Sequence, residues 1–235
     1  GWLQLGGDID GEYGWTETSG DHNGDQSGYS VAMNSDGTRI AIGARSNDGN
    51  GNSSGHVRVY DYKILDNYEW NNINVIKNGD EELQSGVYYW RQVGVDIDGE
   101  DEQNYSGTSV AMNNDGTIIA INATGHSNSK GHVRVYKHTL DDDLWTQLGS
   151  DIDGEKANDY SGTSVAMSSD GTRIAIGAIY NDGVNGSDSG HVRVYEYDIT
   201  TGWTQLGSDI DGEASSDQSG YSVAMNGDGT RIAIG

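Results

Sequence analysis

Residues 27–44 read SGYSVAMNSDGTRIAIGA, and nearly the same words return at 106–123 (SGTSVAMNNDGTIIAINA), at 161–178 (SGTSVAMSSDGTRIAIGA) and at 219–235 (SGYSVAMNGDGTRIAIG). Within this stretch the hydrophobic period is two. Val31 and Met33 stand opposite Ser30 and Ala32, and Ile40 and Ile42 share a face while Ala41 and Gly43 share the other, which is strand alternation. Large residues on one face and small ones on the other suit a sheet packed on both sides. Between the two runs stands NSDGT, whose Asp-Gly pair supplies the positive φ of a hairpin turn. Working outward, GHVRVY alternates in the same way, with Val57 and Val59 on one face and His56, Arg58 and Tyr60 on the other, and WTQLGSDI makes a fourth run. Each unit therefore holds four short strands, A to D in chain order, and no stretch has helical periodicity.

Anchoring on Trp2, Trp90, Trp145 and Trp203 gives spacings of 88, 55 and 58 residues, a natural unit near 57. The long first interval comes from two insertions that fall between the repeated words, as loops on a fixed scaffold should. The expected organisation is one repeat domain over 1–235: an outer strand plus a blade with two insertions at 1–89, blades at 90–144 and 145–202, and a partial blade at 203–235. Repeated four-stranded antiparallel units of this length are the signature of a β-propeller, so the expected fold class is all-β, a propeller of four-stranded blades. Fifteen strands follow from this count, 3.5 to 4 blades. Fifteen is not a multiple of four, so the chain reads as an arc of a ring of about seven blades, within the usual range. Alternating strand direction puts the A–B and C–D turns on one side, and the B–C loops and D–A connections on the other.

The words SGYSVAM, IAIGA and GHVRVY resemble the FG-GAP repeat of integrin-α-type propellers, in which Phe-Gly-x-Ser-Val-Ala, Ile-Val-Gly-Ala and Gly-x-Val-x-Val-Tyr strands follow one another. The resemblance spans nearly the whole chain and implies a propeller fold. Departures are specific: the chain has no Phe, Ser27 precedes Gly28, and the calcium loop of that family is shortened here to MNSDGT, a turn similar to those of WD-repeat and YVTN-type propellers. The family's cation site therefore does not carry over to that loop. The whole sentence WTQLGSDIDGE…SGHVRVY is similar to repeat proteins of marine bacteria, algae and their viruses, a resemblance that implies a large surface or secreted protein.

Thirteen Lys+Arg against thirty-seven Asp+Glu give a formal net charge of −24. That charge repels nucleic acid and anionic lipid and attracts cations, so no nucleic-acid partner is expected. No run approaches the roughly 18 apolar residues of a span, so no membrane insertion is expected. Cysteine is absent, which removes disulfides and thiolate chemistry.

The acidic word DIDGE recurs in every D–A connection. Asp8, Asp10 and Glu12, Asp96, Asp98 and Glu100, Asp151, Asp153 and Glu155, and Asp209, Asp211 and Glu213 place hard oxygens at alternate positions beside a Gly, the donor type that calcium takes. The competing reading is a plain Asx turn. His56, His132 and His191 repeat once per blade with Arg58, Arg134 and Arg193, which argues for a structural task such as pairing Arg with a nearby Asp rather than one converging active site. His22, His126 and His138 lie in loops or at strand ends. No nucleophile elbow, phosphate loop or zinc-protease motif stands out, so no catalytic residue and no enzyme is expected. The Trp at each D strand reads as filler between sheets, which leaves Trp15 and Trp70, in the insertions, as contact candidates. Asn52, Asn104, Asn122 and Asn185 head N-x-Ser/Thr sequons and are candidate glycosylation sites.

The expected function is an extracellular or cell-surface propeller module for protein or glycan recognition and adhesion, with calcium as a possible cofactor. The alternative is a structural subunit whose partners are copies of itself in a fibre, sheath or coat. A propeller-scaffold hydrolase or lyase is the third reading.

Overall fold

The computed structural model describes residues 4–12, 24–64, 77–78, 81–82 and 88–235. Three antiparallel sheets repeat one design. In the first, β1 (Ser27–Met33), β2 (Arg39–Ala44) and β3 (His56–Ile64) pair in chain order. After a small hairpin of β4 (Lys77–Asn78) and β5 (Glu81–Glu82), β6 (Tyr88–Gln92) pairs on β3, and β7 (Ile97–Asp98) returns to the other end of β3. The second sheet is β8 (Ser106–Met112), β9 (Ile118–Ala123), β10 (His132–Thr139), β11 (Leu144–Gln147) and β12 (Ile152–Asp153). The third is β13 (Ser161–Met167), β14 (Arg173–Ala178), β15 (His191–Asp198), β16 (Gly202–Gln205) and β17 (Ile210–Asp211). β18 (Val223–Met225) and β19 (Ile232–Ile234) begin a fourth. The chain is all-β, and its sheets are β-propeller blades.

The blades and the units counted from Trp are offset by one strand, because each sheet runs from strand A to the following D. The D run is also divided. Val93 still donates to the Val59 carbonyl, but Gly94 then takes φ +71, and Ile97 and Asp98 rejoin β3 opposite Val57 and His56. The first two residues after the opening Asp of the second, third and fourth DIDGE words are thus held on strand C. At His126–Ser129 the B–C loop makes a single turn in which Ser127 and Asn128 have φ of 51° and 60°, so it is no segment of right-handed helix.

The core lies between blades. Ala41, Val57 and Val59 of the first meet Val110, Ile119 and Ile121 of the second, and Ala120, Val133 and Val135 of the second meet Val165, Ile174 and Ile176 of the third. The bulky face of one sheet nests on the small-residue face of the one before, as the alternation in residues 27–44 predicts. Each indole ties this interface: Trp90 Nε1 donates to the Leu5 carbonyl, Trp145 to Val93 and Trp203 to Leu148, at 2.8–3.0 Å. The A–B turns form their own chain of hydrogen bonds, Ser35 N–H to Asn114, Asn114 N–H to Ser169 and Ser169 N–H to Gly227.

Candidate functional site

On the opposite face the B–C loops and DIDGE segments interlock. Asn50 Nδ2 donates to the carbonyls of Gly99 and Glu100, and Gln103 N–H donates to Asn52 O. Strand C brings its His and Arg to this face beneath the loops. Each arginine reaches back to the preceding DIDGE: Arg58 Nη2 donates to Asp10 O, Arg134 to Asp98 O and Arg193 to Asp153 O. Their Nη1 atoms lie 3.8, 3.3 and 3.9 Å from Glu12, Glu100 and Glu155. The partner is therefore the glutamate of the preceding repeat, where an aspartate was expected.

Next to each arginine stands a fully buried imidazole. His56, His132 and His191 are 1%, 0% and 1% exposed, and among the described residues no ring nitrogen of the three has a hydrogen-bond partner. Burial pushes all three pKa values down, and for His132 the neighbouring His126 adds to the effect, bringing it to about 4. The rings are neutral at pH 7. A buried donor or acceptor without a partner costs about 1–3 kcal/mol, so their retention in three blades calls for a reason. The nearest acceptor to each Nδ1 is the opening Asp of the blade's own DIDGE: Asp96, Asp151 and Asp209 at 3.6, 3.7 and 3.8 Å. Those aspartates also accept hydrogen bonds from Gln92, Gln147 and Gln205. The carboxylates of one DIDGE word thus point to different neighbours, the first Asp to its own blade and the Glu to the next. Asp98 has its pKa raised by burial, with Asp96 and Glu12 contributing, so negative charge is crowded here.

A second feature lies at the mouth between the A strands, an open cavity of about 580 Å³. Its lining includes Tyr29, Tyr105, Tyr160 and Tyr221, one beside the Ser-Gly of each repeat, and Tyr180 from the third blade's B–C loop. The first four come from two alternative positions. Where Gln precedes Ser-Gly, tyrosine follows it (Gln26–Tyr29 and Gln218–Tyr221), and where tyrosine precedes Ser-Gly, threonine follows (Tyr105–Thr108 and Tyr160–Thr163). Sequence reading passed over this exchange, QSGY for YSGT, although it is visible in the repeated words. Tyr105 and Tyr160 both take φ +54, as Gln26 and Gln218 do at the same position (55 and 53), so the left-handed turn, which costs a non-Gly residue about 1–2 kcal/mol, is part of every repeat. Arg45 lies 3.9 Å over the Tyr29 ring, and Tyr180 meets Tyr160 edge-on at 5.3 Å.

A family model described as the FG-GAP repeat matches residues 18–60 and 151–195. Those two stretches are similar to the FG-GAP repeat. No curated protein matches the chain. Solved structures similar to it include the periplasmic gluconolactonase PpgL of Pseudomonas aeruginosa (14% identity, TM-score 0.39, 80% of this chain and 46% of that one). Hydrazine synthase of Kuenenia stuttgartiensis (14%, 0.43, 94% and 58%) and TolB of Acinetobacter baumannii (14%, 0.40, 87% and 36%) are further examples. The chain spans about half the length of the solved structures that it resembles.

The short A–B turn holds its aspartate by local bonds: Asp36 accepts from the N–H and Oγ1–H of Thr38. Of the sequons, Asn52 and Asn185 are exposed on B–C loops, while Asn104 and Asn122 are buried, so a glycan on either would require the fold to open. Asn122 Oδ1 instead accepts the Ser109 N–H. Trp15, Trp70 and His22 lie outside the described residues. His126 is brought to the imidazole layer, stacked on His132 with ring centroids 4.1 Å apart, while His138 pairs with Asp143 at 2.9 Å. Among the described residues no helix is long and apolar enough to cross a membrane.

Proposed function

We propose that this chain is the recognition part of an extracellular or cell-surface propeller, and that it takes a glycan at the tyrosine-lined mouth. The observation that carries this reading is that every repeat brings a tyrosine beside its Ser-Gly to this cavity, from either of two sequence positions. Filling a core would not require such an exchange, because Tyr29 and Tyr221 are half or more exposed. Aromatic faces give flat apolar contact for a sugar ring, and the hydroxyls of Tyr, Thr and Ser with Arg45 supply orienting hydrogen bonds. The net charge of −24 favours a saline, cation-rich setting and supports an extracellular location.

The test is titration of neutral and acidic oligosaccharides followed by tyrosine and tryptophan fluorescence, with and without calcium. Tyr160→Ala should weaken binding about tenfold or more while the melting temperature moves little. Absence of saccharide binding, or binding unchanged in Tyr105→Ala and Tyr160→Ala, would sink this reading. Ordered polymers on concentration would favour the coat or fibre alternative instead.

A further inference from the structure

The three imidazoles are the least explained groups in the interior. Each has one N–H and one lone pair, and among the described residues nothing satisfies either. The separations from Nδ1 to the facing carboxylates, 3.6–3.8 Å, are too long for hydrogen bonds. They come close to the spacing, roughly 3.3 Å, of two donors that share a tetrahedral ion about 2.0–2.1 Å from each. A third donor arrives from the repeat before. Glu12 joins His56 and Asp96, and Glu155 joins His191 and Asp209, with the donor atoms of each set within 4.8 Å of one another. Neither glutamate is tightly committed elsewhere, since Arg58 and Arg193 stand 3.8 and 3.9 Å away and the Asn47 and Asn181 amides donate over 3.4 and 3.3 Å.

The middle junction differs in an informative way. His126 occupies the position, three residues past strand B, that Asn47 and Asn181 hold in the other blades. The clustered set there becomes Glu100, His126 and His132, with Asp151 Oδ2 3.7 Å from His132 Nδ1. His126 also lines an open groove of about 520 Å³ with Glu102, Asn104, Asn128 and Tyr160, which gives an ion access from solvent.

We propose that the junctions between consecutive blades bind divalent transition-metal ions of the zinc class, and that the junction of Glu100, His126 and His132 binds most tightly. Calcium takes six to eight hard oxygens, whereas these sets hold three or four donors and one or two of them are imidazole nitrogens. The positive ion would sit among carboxylates that outnumber the one arginine at each junction, and would use the lone pair that each neutral ring leaves idle. Its ligands come from strand C and the D continuation of one blade and from the DIDGE of the blade before, so the ion would cross-link neighbours. The inference stands apart from the tyrosine mouth, which shares none of these ligands.

The test uses the 235-residue chain after exhaustive chelation, titrated with zinc, calcium and magnesium in turn by calorimetry and thermal unfolding. Zinc should raise the melting temperature where calcium and magnesium do not, and calorimetry should resolve one class at least tenfold tighter than the rest. His126→Asn restores the residue of the other two blades and should abolish the tight class while leaving the metal-free melting temperature unchanged. Because His132 is fully buried and replacing it would disturb the fold itself, Glu100→Gln serves as the second variant, expected to weaken the tight class about tenfold. Equal stabilisation by calcium, no zinc response, or a tight class that survives in His126→Asn would each overturn the proposal.

Discussion

Asp115 shows how much of this fold is written into single residues. It opens the Asp-Gly pair of the second A–B turn, and its Oδ1 accepts from the N–H of Thr117 at 2.9 Å and from its hydroxyl at 2.6 Å. Asn113 Oδ1 accepts from Ile118 N–H, and Gly116 takes φ +74, so three side-chain and backbone choices agree on one turn. Partial burial raises the Asp115 pKa, but the two bonds from Thr117 outweigh it and hold the carboxyl below its ordinary value. Asp115→Ala should therefore cost about 0.5–1 kcal/mol at pH 7, the worth of an exposed hydrogen bond. The sign of the pH dependence follows from the depressed pKa. The contribution is complete above the unfolded value of about 3.9 and is lost as pH falls through the lower folded one. In urea unfolding, the gap between parent and variant should hold from pH 7 to 5 and close below about pH 4. A variant as stable as the parent at pH 7 would remove the turn's aspartate from the account.

At the scale of the element, the strands were legible because each alternates with period two, and the Asp-Gly pairs mark where A gives way to B. The division of strand D was not. Two residues beyond the register of strand C are absorbed around Gly94, Gly149 and Gly207, all at positive φ, and a single glycine in WTQLGSDI does not announce a bulge. The tyrosine mouth escaped for a different reason: residues on either side of Ser-Gly come together only once the blades are arrayed around an axis. The imidazole layer was visible as repetition, yet its partners lie in neighbouring repeats. Strands β2 and β3 show a similar link across distance. Arg39 makes a two-point pair with Asp61, at 2.5 and 3.0 Å, and its Nη1 donates to Gly116 O of the next blade. Arg173 and Glu196 repeat the pair, but in the middle blade both members are exchanged together, for Ile118 and Lys137. Arg39→Ile leaves the buried Asp61 with only Lys63, 3.4 Å away, for a cation and should cost up to about 3 kcal/mol. Adding Asp61→Lys should recover a large part of that loss, as the middle blade already accommodates the combination. A double-mutant cycle by chemical denaturation measures the coupling. Additive losses would show that the pair does not act as a unit.

For the whole molecule, the decisive dimension is the distance between blades near the axis. Gly43 of strand β2 faces the Gly107 carbonyl of the next blade so closely that a Cβ would collide with it and with Ser30 Oγ. Ser30 Oγ–H itself donates to that carbonyl at 2.7 Å, and Gly177, Gly220 and Ser164 repeat the arrangement one junction on. Between them the middle blade carries Asn122 instead of glycine, and its amide oxygen takes the Ser109 N–H while Ser109 Oγ accepts from Val165 N–H. Two ways of closing the same gap thus coexist in one chain, one by direct backbone approach and one through a side chain. The obstacle at Gly43 is backbone, which cannot swing aside, so accommodating a methyl would spread the blades and loosen the packing of Ala41 and Val57 on Ile119 and Ile121. Gly43→Ala should cost about 3 kcal/mol, the upper range for overpacking, and lower the melting temperature by roughly 6–12 °C for a chain of this size. Gly28→Ala is the matched control: it too is a glycine of a blade's inner region, with φ +85 but no atom within 4 Å of an added Cβ, so it should lose only the 1–2 kcal/mol of left-handed backbone. Asn122→Gly should destabilise the middle junction by about 1–3 kcal/mol, because it empties the space and strands the Ser109 N–H. Differential scanning calorimetry of the three variants orders these effects, and a Gly43→Ala protein no less stable than Gly28→Ala would mean that the spacing of the blades is set elsewhere than at their axis-facing glycines.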